Sequence, residues 1–240
     1  MSRATAEAGV KRSVVERAYD IISERITSGH FAANERLTEA RLTEEIGVGR
    51  GAVREVMNKL AADGLIELVP NRGAVVRAVT RKDMADFFQV RGLFESFAAR
   101  RAAERINEPG SRELVLGLID EIDELERNMD LKLFAEHDSH FHGGLMDLSG
   151  NEIMAAEWRR LRRSRFRIAF LHSLSEDEIR VSLKEHRTIL LAILSGESEM
   201  AADLGWRHVR LTSGRVQRMS NQEFEAIFCP SSPGHNRKAV

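Results

Sequence analysis

The chain has 240 residues, of which 42% are hydrophobic and 30% charged, an ordinary globular composition. Its length suits two domains better than one. The formal net charge is -1, and the first eighty residues hold 12 lysines and arginines against 11 acidic residues, a balance of +1. This balance excludes a general positive field, so any affinity for DNA must come from the placement of a few arginines.

Targeting and redox features indicate an intracellular protein. Cys229 is the only cysteine, so an intramolecular disulfide cannot form, which fits a reducing compartment. The N terminus lacks the apolar core of a secretory signal. The longest aliphatic run, 189–194, is far too short to cross a bilayer. We therefore expect a cytoplasmic protein without a membrane partner.

In chain order, the first third predicts three helices followed by a β-hairpin. Residues 1–12 are small and polar, which indicates disorder. Thr38 is a good cap for the second helix, and a Gly-Val-Gly turn separates that helix from the third. The predicted helices span 13–28, 38–46 and 50–64, and the hairpin strands span 65–69 and 74–79. Together these elements predict a winged helix-turn-helix domain over 13–79.

The rest of the chain predicts a separate, all-helical domain. From Arg81 onward the sequence shows helical periodicity and no convincing strand. Pro and Gly pairs and Ser-Gly turns separate six predicted helices, which span 82–105, 111–128, 131–148, 151–172, 175–195 and 198–219. The fold class is therefore mainly α, with a helical bundle over 80–222 and a loose tail over 223–240.

The third helix has the pattern of a DNA-reading helix. Its apolar stripe faces the other two helices, while Arg50, Arg54 and Asn58 recur at i, i+4 and i+8 on the opposite side. Arginine pairs with guanine and asparagine with adenine in the major groove of double-stranded DNA. Such helices contact bases from their first turns, where both arginines lie. Taken alone, the same face also fits an ordinary solvated helix.

This segment resembles the GntR family of bacterial transcription factors over residues 14–79. The matching motifs include Glu35-Arg36-Leu37, Leu42-Thr43-Glu44-Glu45, Gly47-Val48, Arg50, Val53-Arg54-Glu55, Gly64-Leu65 and Arg72-Gly73-Ala74. The resemblance implies that Arg50 and Arg54 read or clamp DNA. It also implies that Arg36 lies near the DNA backbone and that Arg72 and Gly73 reach the minor groove from the wing. A simple surface charge is the competing interpretation of Arg36 and of Arg72.

The sequence departs from the GntR pattern at the start of the third helix. Gly49 stands where the family usually has Ser or Thr, and Gly51-Ala52 replaces a Thr-Pro-like pair. Those hydroxyl groups often contact phosphate, so such contacts are in doubt here. A homodimer is nevertheless expected, because one short helix reads few bases and two-fold pairing matches a palindromic operator.

Four polar residues of the helical domain have the spacing of a metal site. Asp138 and His142 are four residues apart, so both project from one helix face. His186 and His208 lie on either side of the turn at Ser195, which brings them to similar heights on antiparallel helices. This ligand set suits zinc or a similar divalent metal, with nickel and manganese as alternatives. A core histidine satisfied by a carboxylate is the competing interpretation of His186.

The helical domain resembles the FCD ligand-binding domain of the FadR subfamily. The motifs that carry the resemblance are Asp138-Ser139-His140-Phe141-His142, Ser149-Gly150-Asn151, Glu185-His186-Arg187 and His208. Many members bind a divalent metal through the four positions named above. The resemblance gives His137 and His140 no ligand role, and we interpret them as flanking polar residues.

Arg91 lies within an apolar stripe formed with Phe87, Phe94 and Ala98. A buried arginine needs an anionic or hydrogen-bonding partner, which is either a nearby acid such as Glu95 or the carboxylate of a bound ligand. In the family this arginine often contacts small organic-acid effectors.

These features predict a DNA-binding regulator, with repression as the commoner family pattern, whose helical domain binds a metal and a small carboxylate effector. One alternative is a regulator for which the metal itself is the signal. A metal-dependent hydrolase is the other alternative, but the His-Glu-x-x-His and Gly-x-Ser-x-Gly motifs and a phosphate loop are absent from the sequence.

Overall fold

The computed structural model describes residues 13–70, 72–162, 171 and 173–229. The chain divides into two compact units, with the boundary between Arg77 and Ala78. The predicted disorder of residues 1–12, the second half of the helix predicted over 151–172, and the end of the predicted tail lie outside the described residues. No helix of the described part has the length and apolar character that a membrane span requires.

The described residues of the first unit form three helices, and each begins and ends near its predicted residue. They are α1 (Val14–Thr27), α2 (Glu39–Ile46) and α3 (Arg50–Ala62). Ser13 and Glu16 form a capping box on α1, and the Thr38 side chain accepts a hydrogen bond from the Arg41 amide on α2. Gly47 ends α2 in the left-handed conformation, which turns the chain toward α3.

The wing is a three-stranded antiparallel sheet rather than the predicted two-stranded hairpin. Its strands β1 (Arg36–Leu37), β2 (Ile66–Val69) and β3 (Gly73–Val76) lie in the order β1-β3-β2. The short β1 was not predicted, because two residues carry no periodicity and their partners are about forty residues away. Gly73 has φ +86°, and a Cβ there would lie 2.5 Å from the Leu37 carbonyl oxygen. The sheet therefore requires glycine at this position.

The core of the first unit is apolar throughout. Helix α3 buries the stripe that was predicted to face the other helices, and α1 contributes its own buried stripe. The largest side chains that are fully buried in this unit are Ile22, Ile26, Phe31, Leu37, Leu42, Leu60 and Leu65. This packing leaves the polar face of α3 toward solvent.

The second unit is all-helical within its described residues. Its helices are α4 (Arg81–Glu104), α5 (Ser111–Arg127), α6 (Leu131–Leu148), α7 (Glu152–Arg162), α8 (Glu176–Leu194), α9 (Ser198–Arg218) and α10 (Asn221–Phe228). Together the two units confirm the predicted fold class, a winged helix-turn-helix followed by an all-helical bundle.

Helix α10 lies mostly where the sequence was expected to form a loose tail, so that expectation was wrong for residues 223–228. Ser220 and Glu223 form a capping box that starts the helix. Phe224 and Phe228, four residues apart, are buried against Val79 and Met84. Burial of two aromatic side chains on one face supplies the stabilisation that a short helix lacks on its own.

Helices α4 and α9 approach each other closely through small residues. A Cβ at Gly205 would lie 3.1 Å from the Glu95 carbonyl oxygen, and one at Gly92 would lie 2.6 Å from the Trp206 ring. Alanines along both helices are buried between them. This approach brings Glu95 of α4 next to His208 of α9, in the region where the predicted metal ligands lie.

Candidate DNA interface and metal centre

The polar residues predicted to read DNA lie on the exposed side of the first unit. Arg50, Arg54 and Asn58 are all exposed on α3, and Arg72 is exposed in the turn just before β3. A surface cleft between α3 and the wing is lined by most of the predicted DNA-contacting residues: Arg36, Arg54, Asn58, Arg72 and Gly73. The structure thus brings together residues that are up to 37 positions apart in the sequence.

Two of these residues have partners within the unit. The Arg54 guanidinium contacts both carboxylate oxygens of Glu39, at 2.7 and 2.9 Å. The hydrogen bond from Arg54, together with the charges of Arg54 and Arg50, lowers the pKa of Glu39. Because Arg54 remains 67% exposed, this pair is a surface ion pair that a phosphate or a base can displace at little cost.

Arg36 supports the wing from within the protein. Its Nε donates a hydrogen bond of 2.7 Å to the carbonyl oxygen of Arg72, and the Arg72 amide donates to Val69 at 2.9 Å. The fold itself requires glycine at position 73, since only glycine fits beside the Leu37 carbonyl. Arg36 and Gly73 therefore fix the position of the wing tip, where the Arg72 side chain is free to point outward.

In the second unit, three of the predicted metal ligands converge. Ligand atoms of His142, His186 and His208 all lie within 4.8 Å of one another, and all three side chains are buried. Asp138 joins them, because its Oδ1 lies 3.3 Å from His142 Nε2. Three separate helices, α6, α8 and α9, contribute to this histidine cluster. The height match across the Ser195 turn therefore brings His186 and His208 together as the sequence predicted.

Two histidines of the cluster, His186 and His208, are held from outside by hydrogen bonds at their Nδ1 atoms. His208 Nδ1 lies 2.7 Å from Glu185 Oε2, and His186 Nδ1 lies 3.2 Å from Nε2 of His137. His142 Nδ1 lies 3.1 Å from Glu95 Oε2, but the two atoms do not form a hydrogen bond. Outer partners of this kind fix the ring and leave the opposite nitrogen for a metal.

His137 belongs to this support and is not a flanking polar residue as predicted. It is 2% exposed, and its Nδ1 contacts Glu121 Oε2 at 3.0 Å while its other nitrogen reaches His186. His140 contacts the other oxygen of Glu121 but stays exposed. The sequence signal that could have found His137 is its spacing, because His137 and Phe141 are four residues apart and so lie on one helix face. In the structure Phe141 stacks on His186, with ring centroids 3.8 Å apart, so this face points toward the cluster.

The electrostatic environment favours a neutral His186 and an ionised Glu95. Burial, together with the charges of His208 and His142, holds the pKa of His186 well below its usual range, so its ring is neutral at pH 7. Burial alone would raise the pKa of Glu95, but the adjacent Arg91 and His142 outweigh it and lower the pKa to about 2. A neutral imidazole beside fixed carboxylates is the arrangement that metal ligation requires.

Arg91 pairs with Glu95, the nearby acid that the sequence predicted as one possible partner. Its Nε lies 2.5 Å from Glu95 Oε1, and its Nη2 lies 2.7 Å from Nε2 of His142. The side chain is 11% exposed and lines a cavity of about 200 Å³ beside the cluster. Asp138 and His208 line the same cavity, so a small molecule there would meet both Arg91 and the predicted metal ligands.

Comparison with known protein families gives two matches along the chain. The model described as "Bacterial regulatory proteins, gntR family" matches residues 6–76, and the model described as "FCD domain" matches residues 83–211. The two matches follow the division between the two units.

Individual relatives share this length and organisation. The "Probable D-xylose utilization operon transcriptional repressor" of Paenarthrobacter nicotinovorans is 26% identical over 206 residues, which cover 86% of this chain and 90% of that protein. The "HTH-type transcriptional repressor RspR" of Escherichia coli K12 is 24% identical, covering 87% of this chain and 91% of that protein. The solved structure of E. coli McbR/YncC covers 85% of this chain and 97% of that chain, with a TM-score of 0.66 and 15% identity. These matches are to regulators rather than to enzymes, and the structural likeness supports the fold.

Proposed function

We propose a function from one premise: the chain belongs to the GntR family of bacterial regulatory proteins and carries an FCD domain, so it is a transcriptional regulator and not an enzyme. In this proposal it is a cytoplasmic repressor that binds a palindromic operator as a homodimer. Its helical unit holds a divalent metal and a small carboxylate effector that changes DNA affinity. The observation that carries the sensor half is the buried histidine cluster, which lies beside a cavity.

The DNA contacts follow from the exposed face of the first unit. Arg50 and Arg54 are placed on the first turns of α3, the part of such a helix that reaches base edges in the major groove. Asn58, one turn further, is suited to pair with adenine. Arg36, Arg72 and Gly73 hold and form the wing tip, from which the Arg72 side chain would enter the minor groove. A homodimer doubles this contact and matches the symmetry of the operator.

The metal proposal rests on the donor set and its outer support. Asp138, His142, His186 and His208 would hold the ion, a mixture of imidazoles and one carboxylate that zinc accepts, with nickel and manganese as alternatives. The Nδ1 contacts of His186 and His208 leave their Nε2 atoms for the ion, which would displace the Ser182 Oγ that lies 3.4 Å from His186 Nε2. A bound ion would supply a Lewis-acidic anchor for a carboxylate. The residues present fit this group.

Arg91 links the metal centre to an effector. In the structure its Nη2 contacts His142 Nε2, the nitrogen that a metal ion would use. A metal there would replace Arg91 as the partner of this nitrogen and release one side of the guanidinium. Glu95 would still hold Nε. The released nitrogens would then bind the carboxylate of an organic acid within the cavity, which gives the ligand differential contacts in the two states.

A DNA-binding assay with defined metal content tests this function. The protein is stripped of metal, reloaded with zinc, and titrated onto the DNA upstream of its own gene, with and without a panel of organic acids. We expect specific binding to this DNA and a shift of affinity when one acid is added to the zinc-loaded protein. The proposal would be contradicted if the protein bound this DNA no more tightly than an unrelated duplex of equal length at the same salt concentration.

The same assay separates the effector from the metal as the signal. If zinc alone changes DNA affinity and no acid does, the metal-responsive alternative is correct. If an acid acts only when zinc is present, the metal anchors the effector. The coupling is expected to be reciprocal, so operator DNA should change the affinity for the acid by the same factor.

A further inference from the structure

The lining of the cavity beside the histidine cluster extends beyond the predicted metal ligands. Its inner end is formed by buried groups, Asp138 and His208, together with Arg91. Toward solvent the lining continues along α9 through Thr212 to Arg215, which is 24% exposed. His208 and Arg215 are seven residues apart on one helix, a rise of about 10 Å. The cavity is therefore a channel with a buried end and an open end.

Apolar side chains line the stretch between the two ends. Phe87, Phe88 and Met84 of α4 contribute to one side, and Leu211 of α9 and Val181 of α8 contribute to the other. Leu211 and Val181 are about half exposed, so this stretch is partly open to solvent. A ligand that follows the channel would bury a hydrocarbon segment against these side chains, and such burial is favourable at roughly 25 cal/mol per Å².

The open end carries positive charge of its own. Arg215 and Arg218 both line it, in addition to Arg91 at the inner end. Arg215 uses its Nε for Glu178 at 3.2 Å, but a guanidinium has five donors, so further donors remain for a ligand. The acids of the lining, Asp138 and Glu185, lie at the inner end beside the histidines, where a metal would offset them. The two ends of the channel thus each favour an anion.

We infer that this site takes an elongated dicarboxylate with an apolar middle, and that Arg215 and Arg218 bind its second carboxylate at the mouth. The inference rests on the proposed function, which places the first carboxylate at Arg91 and the metal. Monocarboxylates would satisfy the inner end alone and leave the arginines of the mouth to solvent. The arginines of the open end, rather than the metal centre, would then select between the two kinds of acid.

Calorimetric titration of the zinc-loaded full chain tests the inference. Adipate and suberate are compared with hexanoate and octanoate, which have the same chain lengths and only one carboxylate. We expect one of the diacids to bind at least about tenfold more tightly than its matched monoacid. In an Arg215→Gln/Arg218→Gln variant this preference should disappear, while binding of the monoacid stays unchanged. Circular dichroism of each variant verifies the fold.

Arg210→Gln is the matched control, because Arg210 lies exposed on the same helix and does not line the channel. Its preference for diacids should equal that of the wild type. Equal binding of mono- and diacids, or a preference that survives the double variant, overturns the inference and leaves the effector site in place. If zinc binds but neither kind of acid does, the effector part of the proposed function fails, and the inference fails with it.

Discussion

The two units of this chain place their polar chemistry in opposite ways. Among its described residues the first unit has no fully buried polar or charged residue, although the Thr43 hydroxyl oxygen is buried, and the arginines and Asn58 among its candidate DNA contacts are exposed. Within the part of the second unit that the structure describes, nine such residues are buried: Glu95, Ser111, His137, Asp138, His142, Ser149, His186, His208 and Thr212. A surface that reads a duplex needs long, solvated side chains on a rigid apolar core. A ligand site instead needs groups removed from water and fixed by one another.

The difference has an energetic consequence. Exposed side chains can be changed with little effect on folding, usually within about 0.5 kcal/mol, because water replaces their contacts. Buried polar groups depend on their partners, and loss of one partner leaves the other desolvated. Substitutions in the first unit should therefore separate function from stability, whereas substitutions in the histidine cluster should couple them.

The largest expected effect concerns the exposed face of α3. If Arg50 and Arg54 each pair with a base, the Arg50→Ala/Arg54→Ala variant should lose about 1–3 kcal/mol per contact, or roughly 30-fold or more in operator affinity. Fluorescence anisotropy with a labelled operator measures this loss. The melting temperature should stay unchanged, since both side chains are exposed.

Lys59→Ala is the control for that variant, because Lys59 is an exposed cation on the same helix that pairs with Glu55. It should weaken binding far less, and equally on specific and unrelated DNA. Operator affinity that is the same in the wild type and the double variant would remove the DNA-reading role of this helix.

The next effect tests the support of the metal centre. His137→Phe removes the hydrogen-bonding partner of His186 Nδ1 while keeping a ring of similar size in the core. Loss of such outer partners lowers metal affinity by about 10- to 100-fold, and we expect a loss in that range. Competition with a chromophoric chelator measures it. His140→Phe, which changes an exposed neighbour on the same Glu121, should have a much smaller effect.

A third prediction concerns the wing. Gly73→Ala places a Cβ against the Leu37 carbonyl in a left-handed conformation and should destabilise the first unit by about 1–3 kcal/mol. Both tryptophans, Trp158 and Trp206, lie in the second unit. In urea unfolding, Gly73→Ala should therefore lower the midpoint of the transition seen by circular dichroism more than the midpoint seen by tryptophan fluorescence.

Gly47→Ala is the matched comparison for the wing variant. Gly47 also has a positive φ, +72°, but a Cβ there has no neighbour within 4 Å. Its cost should come from backbone strain alone, so it should be smaller than that of Gly73→Ala. Equal costs would mean that the contact with Leu37 does not constrain the sheet.

The smallest effect tests the departure at the start of α3. Gly49 is the N-cap of this helix and makes no side-chain capping bond. Gly49→Ser should stabilise the helix by a few tenths of a kcal/mol. If its hydroxyl also reaches a phosphate, operator affinity should rise about two- to tenfold, the worth of one hydrogen bond. Gly51→Ala, which adds no hydroxyl and meets no neighbour, provides the control.

Local signals in the sequence predicted most of the fold. Helices with strong apolar periodicity, the Thr38 cap and the glycine turn at Gly47 all have their causes within a few residues. The strand β1 could not be predicted in this way, because its only support is pairing with β3 across the sequence. Helix α10 does have a local signal in the sequence, the Ser220–Glu223 capping box with two phenylalanines one turn apart.

In the candidate metal site, too, some residues could be predicted from the sequence and others could not. His142, His186 and His208 were predictable, because helical spacing and a turn place them at one height. Their outer partners were not, since Glu121 and Glu185 reach the site by side-chain geometry that spacing does not report. The sequence predicts Glu95 only as a partner of Arg91, because its contact with His142 depends on the close approach of α4 to its neighbours.

X-ray absorption at the zinc edge of the reloaded protein tests the central claim most directly. Side chains from three helices are proposed to hold one ion, so we predict one zinc per chain, with imidazole scattering from three histidines at about 2.0–2.1 Å. A His142→Ala/His186→Ala variant should lose this signal. Zinc that stays below one equivalent at saturation, or a shell with fewer than two imidazoles, would contradict the account.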